Sequence, residues 1–378
     1  MKRRDFFRSA AIIGGAALLG EAGTESEKDS RLVRGVDPVN LEFPFASLKD
    51  FLTPTGLHYV RNHYPVPNLE ERTFQLQVFG RVQRPLTLTL GDLRKMKKKT
   101  VTVTMECAGN GRSFLPIKAK GVQWAQGAVS TAEWTGTPLA EVLALARLEK
   151  DAVEVVFDSA DKGDPKKEGQ PPGLLSFNRS ISLTKAGSPE VLLAYEMNGQ
   201  PLPPNHGYPL RAIVPGWYGM ASVKWLTRVI VTRDRFDGFD QTIDYAYWRN
   251  GEDGLPRLSP LTVMQPKAQI ATPEAGAKRS CGEKVRVFGA AWAGEKELRS
   301  VQVSSDGGKN WQEATFIDKG IPYCWRRWEW MWTPKVKGEA VLMAKATDAT
   351  GATQPLTHDA GRRSYMINFV QRTPVTIT

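Results

Sequence analysis

Histidine and cysteine are scarce in this chain, which holds four of one and three of the other in 378 residues. No His-rich or Cys-rich spacing is present, so the sequence offers no zinc site of the usual kind. Cys-x-x-Cys-His is absent as well, and the chain carries no covalently attached c-type haem. The apolar run from Ala10 to Leu19 is too short and glycine-rich for a firm membrane span. The densest basic run, Arg94-Lys95-Met96-Lys97-Lys98-Lys99, has no nucleic-acid motif beside it and reads as a solvated surface.

One of the three cysteines has a neighbourhood that suits chemistry. In Thr100-Val-Thr-Val-Thr-Met-Glu-Cys107-Ala-Gly-Asn-Gly-Arg112-Ser113, alternating threonine and apolar residues predict a half-buried strand. Gly109 and Gly111 then allow a sharp turn and a close approach to a ligand. A thiol presented at a strand end, with an arginine five positions on, is expected to have a lowered pKa. Its thiolate is a soft ligand suited to a transition metal.

This stretch resembles the sulfite oxidase-type molybdenum enzymes, whose metal-binding cysteine lies in Cys-Ala-Gly-Asn-Arg-Arg. Here Gly111 stands in place of the first arginine, and Arg112 matches the second. Three further blocks match in order: Tyr59-Val-Arg61-Asn62-His63-Tyr-Pro-Val-Pro67, Gly127 to Trp134, and Tyr195 through His206 and Arg211 to Ser222-Val223-Lys224-Trp225. The resemblance covers roughly residues 40 to 370. It implies an α+β, β-rich molybdopterin domain followed by an all-β immunoglobulin-like sandwich that acts as a dimerisation domain, and hence a homodimer.

Chain length and patterning agree with two units. A chain of 378 residues with 41% hydrophobic content exceeds what one core usually holds. Prolines recur from Leu255 to Pro266 and again at Pro273, which places a boundary there. Before it lie mixed strands and a helical piece, Leu139 to Ala146. After it come short β patterns at 285–288, 301–304 and 341–346, with a turn signal at Asp306-Gly-Gly308. Trp328, Trp330 and Trp332 fall on one face of a strand and read as core or interface packing. The expected units are a signal segment at 1–23, a catalytic domain at 40–255 and a sandwich at 265–378.

The N-terminus sets the expected compartment. Arg3-Arg4 followed by Phe6-Phe7 and a short apolar region reads as a twin-arginine export signal, and hence periplasmic localisation. That pathway exports folded proteins, which suits a cofactor inserted before export. Of the formal charge of +11, about +9 remains without this segment, favouring anionic substrates or an acidic redox partner. An oxidising compartment also permits a Cys281–Cys324 disulfide.

The resemblance assigns roles to particular residues. Cys107 is the molybdenum ligand. Arg61 and Arg112 are the substrate arginines, because guanidinium groups stay charged and present a fork of donors to an oxyanion. Tyr245 matches the active-site tyrosine, and Trp124 is expected to line the same pocket. Tyr59, Asn62, His63, Asp161, His206, Arg211, Ser222, Val223 and Lys224 stand where the family holds its pterin. The family's animal members bring a further arginine from near the C-terminus, whereas this chain reads Tyr365-Met-Ile-Asn-Phe-Val370, with Arg362 and Arg363 out of register. The expected activity is oxidation of sulfite to sulfate by a molybdenum-molybdopterin enzyme, with electrons passed to a separate c-type cytochrome. Two other readings stand beside it: a sulfane-sulfur dehydrogenase or nitrate reductase-like enzyme on the same scaffold, and a cofactor-free binding protein, which would contain no stoichiometric molybdenum.

Overall fold

The computed structural model describes residues 31–166 and 170–378. The expected signal segment lies outside them. The threonine-valine alternation forms the strand Lys99–Glu106, which pairs antiparallel with Val129–Pro138 along its whole length. Leu192–Met197 flanks Val129–Pro138 on the other side, and Arg211–Ile213 pairs with Leu192–Met197 in turn. Three separate stretches of sequence are thereby brought to one sheet.

A second five-stranded sheet runs in the order Leu86–Thr89, Gln75–Gly80, Leu226–Thr232, Glu154–Gly163, Leu175–Ser182. Helices are few and short. Leu90–Lys95 starts at a capping box, in which the Thr89 side chain accepts from the Asp92 backbone and Asp92 returns a bond to the Thr89 backbone. Leu139–Ala146, where the sequence places it, buries Leu139, Val142, Leu143 and Ala146, the one-sided spacing of an amphipathic helix. The first unit is thus β-rich with minor helical content, as expected.

At its C-terminal end Pro256–Pro260 pairs with Ala246–Asn250 in a two-stranded sheet, so strand pairing runs through the proline-marked stretch. Proline is tolerated there because a strand without a second partner needs no further ladder donors.

From Lys267 onward the chain is all β. Lys267–Thr272, Val285–Trp292, Arg326–Trp332 and Thr315–Phe316 form one sheet, and Lys278–Arg279, Thr373–Ile377, Gly338–Asp348, Leu298–Ser304 and Gln312–Glu313 form the other. Val287 and Trp328 from the first meet Val301, Val303, Leu342 and Val375 from the second in a common core. Among the described residues no helix is long and apolar enough to cross a membrane.

The expected Cys281–Cys324 disulfide is not formed: both thiols are free. Cys281 is exposed in a loop, with Sγ 3.7 Å from Pro334 O, whereas Cys324 is buried with Sγ 3.2 Å from Thr102 O. The two lie against different parts of the fold.

The two units are closely joined. Phe288, Ala290, Trp292 and Trp325 of the second unit pack into the core of the first. Beside them Lys267 Nζ pairs with Glu106 Oε1 at 2.8 Å, with both side chains almost fully buried.

The tryptophan row is graded. Trp328 is fully buried and Trp332 nearly so, while Trp330 is partly exposed. Trp328→Ala should therefore lower the unfolding free energy by about 3–5 kcal/mol, the usual cost of emptying a large core site. Trp330→Ala should cost less than half of that, and urea unfolding of the two variants would compare them directly.

Candidate functional site

Cys107 follows the last residue of Lys99–Glu106 and opens the turn to the short helix Arg112–Phe114. Gly111 has φ +97°, a left-handed conformation, and a Cβ there would lie 3.2 Å from Ile367 Cγ2. An arginine at 111 would carry about 1 kcal/mol or more of backbone strain in that turn. The departure at this position is thus matched to the backbone. Gly109 serves Arg112, whose Nη2 would lie 2.3 Å from a Cβ at 109.

The turn borders a pocket with a cavity volume of about 60 Å³. It gathers eleven of the fourteen expected site residues: Tyr59, Arg61, His63, Cys107, Asp161, His206, Arg211, Ser222, Val223, Lys224 and Tyr245. Tyr59, Arg61 and His63 come from the segment leading in and out of the short strand Val60–Arg61. His206 comes from the turn Pro204–His206, and Ser222 to Lys224 from the loop entering Leu226–Thr232.

Burial dominates the electrostatics. It raises the pKa of the Cys107 thiol, and the opposing fields of Arg61 and Arg112 do not reverse it. This corrects the expected lowered thiol: the arginines are near, but removal from water costs the thiolate more. Burial likewise pulls Lys224 well below its ordinary value and holds Asp161 up at about 6. Lys224 Nζ donates to Asn62 Oδ1 and to Asn205 O, the latter at 2.9 Å, and lies 4.3 Å from the centre of the Trp225 ring.

Arg211 is held by backbone: Nη1 donates to His206 O and Nη2 to Ser222 O, each at 2.9 Å. Its guanidinium also covers the Trp134 ring at 4.6 Å. Tyr245 Oη and His63 Nε2 are hydrogen-bonded at 2.5 Å, and burial keeps the tyrosine pKa above its ordinary value. The His63 ring stacks on Phe177 at 4.1 Å, which fixes its plane.

Three expected residues stand behind the pocket wall. Asn62 is buried and reaches the site through Lys224. Trp124 is fully buried and packs edge-on against Tyr59, with ring centres 6.5 Å apart, so it supports the wall from behind. Arg112 donates to Val122 O at 2.8 Å and to Ser364 O at 3.1 Å, and covers the Tyr365 ring at 5.3 Å. It ties the turn to the C-terminal segment, where Met366 N also donates to Ala108 O at 2.9 Å. Neither Arg362 nor Arg363 lines the pocket. Arg362 donates to Asn368 Oδ1 at 2.6 Å and Arg363 to Ile243 O at 2.8 Å.

With this geometry in view, comparison with known proteins is decisive. Residues 63–240 match the oxidoreductase molybdopterin binding domain and 259–377 the Mo-co oxidoreductase dimerisation domain. A sulfite oxidase of Arabidopsis thaliana is 34% identical over 352 residues, covering 85% of this chain and 87% of that protein. The chain belongs to the sulfite oxidase-type molybdopterin oxidoreductases. The mitochondrial sulfite oxidase of Mus musculus is 39% identical over 346 residues, 85% of this chain, which spans 60% of that relative's length. The sulfane dehydrogenase SoxCD of Paracoccus pantotrophus has the same fold, with TM-score 0.79 and 27% identity over 94% of this chain and 92% of that one.

This molybdenum oxidoreductase also has pocket residues that the sequence reading missed. His58, Met105, Phe177, Asn205 and Trp225 line it as well. The spacing of matched blocks carries no signal for Phe177, which arrives from the strand Leu175–Ser182, whereas Met105 lies two residues before Cys107 near the end of its strand. His58 precedes a matched block directly and was within reach.

His58 also generates a test. Burial lowers its pKa to about 3, and His206, whose ring lies 5.1 Å away, is lowered too. Below the ordinary histidine pKa of about 6.5 the unfolded chain binds protons that the folded chain refuses, so stability is full above that pH and falls toward pH 3. His58 contributes a loss of about 2 kcal/mol by pH 5, at about 1.4 kcal/mol per pH unit, and His206 acts in the same direction. Asp161, raised to about 6, acts in the opposite sense, so the informative comparison is between variants. Between pH 7 and pH 5, His58→Gln should lose about 2 kcal/mol less than wild type in urea unfolding.

Proposed function

We propose that this enzyme oxidises sulfite to sulfate in the periplasm as a homodimer and passes the electrons to an external c-type cytochrome. The observation that carries the reading is a buried thiol and a half-buried guanidinium, Cys107 and Arg61, on the wall of one pocket. The family's dimerisation domain supports the homodimer. We read its two-sheet architecture as immunoglobulin-like.

The residues suit a molybdenum-molybdopterin group. Cys107 supplies a soft sulfur ligand, and Arg211 and Lys224 supply buried donors for the anionic tail of the pterin. His58 Nε2 is a buried polar atom of the lining without a partner among the described residues, available to a polar ring edge. Tyr59, His63, Asp161, His206, Ser222 and Val223 complete the cradle. When bound, the group supplies oxygen-atom transfer and takes up two electrons.

The chain's own residues bind and orient the substrate. Arg61, charged at every accessible pH, offers its fork to the sulfite oxygens and keeps the sulfur free to react. The Tyr245 hydroxyl, held by His63, stays protonated and provides a further hydrogen bond. Burial of the wall excludes water and strengthens both contacts.

A second reading has its own support. Arg112 stands behind the wall and no C-terminal arginine lines the pocket, so Arg61 and Arg211 are its lining arginines. A pocket with that modest charge, on a fold shared with a sulfane dehydrogenase, also suits sulfane sulfur carried on a thiol.

Steady-state kinetics with sulfite and with a thiosulfate-derived thiol conjugate, using cytochrome c as acceptor, separate the two. Cys107→Ser should abolish turnover while folding is retained; full activity in a molybdenum-loaded variant would refute the ligand assignment. Arg61→Met should lower kcat/KM for sulfite about 10- to 100-fold, the equivalent of one charge-assisted hydrogen bond worth about 1.5–3 kcal/mol. Unchanged kcat/KM at low ionic strength, with equal molybdenum content, would remove Arg61 from the anion site.

A further inference from the structure

Glu106, the residue immediately before Cys107, is 2% exposed and faces away from the pocket. Its carboxylate accepts three hydrogen bonds: Lys267 Nζ at 2.8 Å and Asn110 Nδ2 at 3.1 Å to Oε1, and Trp292 Nε1 at 2.9 Å to Oε2. Lys267 and Trp292 belong to the C-terminal unit, where they are directly paired across two strands.

Lys267 holds both sides of the turn. The same Nζ that pairs with Glu106 donates to Asn110 O at 3.0 Å. Asn110 N donates to Cys107 O at 2.9 Å, Asn110 Oδ1 accepts from Ala128 N at 3.1 Å, and Cys107 N donates to Ala128 O at 2.8 Å. The cysteine backbone is therefore fixed between two residues, one before it and one after, that are gripped by a single ammonium group from the other unit. Lys267 is 1% exposed and does not line the pocket.

We propose that Lys267 and Trp292 are positioning residues for Cys107, so that docking of the C-terminal unit sets the direction of the thiolate from behind. An ion pair serves this purpose because removal of one partner leaves a buried charge that is relieved by opening of the turn or by uptake of a proton, and either course releases the grip on Asn110. The importance of that direction rests on Cys107 being the metal ligand. The clamp itself does not, and it is tested on the metal-free full chain.

Cys107 and Cys324 are almost equally secluded, 7% and 8% exposed, and Cys324 packs against the same strand. In a Cys281→Ser background, modification by an aromatic disulfide reagent is followed at each cysteine by mass spectrometry. Lys267→Met should speed reaction at Cys107 by about tenfold or more and leave Cys324 unchanged, because the opening is local. Trp292→Phe keeps the ring and removes one donor, and should speed Cys107 by about threefold. Adding Glu106→Gln to Lys267→Met removes the stranded charge and should return Cys107 to within about threefold of the parent.

If Lys267→Met does not fold, Trp292→Phe carries the test alone. Unchanged reactivity at Cys107, or equal acceleration at both cysteines, would reduce the cluster to a general structural contact and overturn the proposal. The reagent needs no molybdenum. Its outcome therefore stands apart from any failure of the sulfite reading, which the metal content and substrate kinetics of the loaded enzyme decide.

Discussion

Arg61, Arg211 and Lys224 line one pocket in which Asp161 is the one carboxylate among the described lining residues. Taking an ion out of water costs several kcal/mol, and without nearby carboxylates that cost is met by other donors and acceptors. Arg211 turns two nitrogens to backbone carbonyls and its face to Trp134, while Lys224 uses an amide oxygen, a carbonyl and an indole ring. Much of the local fold exists to supply those partners. The tight approach of Gly207 to Lys224, where a Cβ would lie 3.0 Å from the lysine Cβ, belongs to the same arrangement. A site built this way holds positive potential in reserve for an anionic ligand.

The same economy of charge shapes the surroundings of Cys107. Arg112 is held by the Ser364 carbonyl of the C-terminal segment, Lys267 by a carboxylate of the strand Lys99–Glu106, and both contacts cross between parts of the chain far apart in sequence. The second unit thus contributes to the Cys107 turn as well as to its own two sheets. It packs apolar residues into the core of the first unit, and it places its buried lysine one residue from the thiol.

Two histidines of the pocket are pushed toward the neutral form. His58 and His206 face each other in a buried setting that disfavours charge on either ring. Neutral rings leave lone pairs for hydrogen bonds in a pocket otherwise rich in donors. His63 is fixed by stacking and by Tyr245, so the two sides of the pocket use the same residue type differently.

Much of the fold was legible in the chain. Alternation from Thr100, the helical spacing from Leu139, the turn at Asp306 and the proline-marked boundary each reflect local backbone preferences, which a sequence carries without its partners. The pocket was legible too, since ordered blocks around Arg61, Cys107, His206 and Lys224 supplied nine of its lining residues, and Asp161 and Tyr245 were matched outside them. What stayed hidden depends on distance in space. The thiol shift at Cys107 follows from burial, the retreat of Arg112 behind the wall follows from the path of residues 364–366, and the separation of Cys281 from Cys324 follows from how the second unit docks. The sequence by itself determined which residue types meet; tertiary structure alone decided which charges lose water and which side chains face the ligand, because desolvation and close contact belong to the assembled fold.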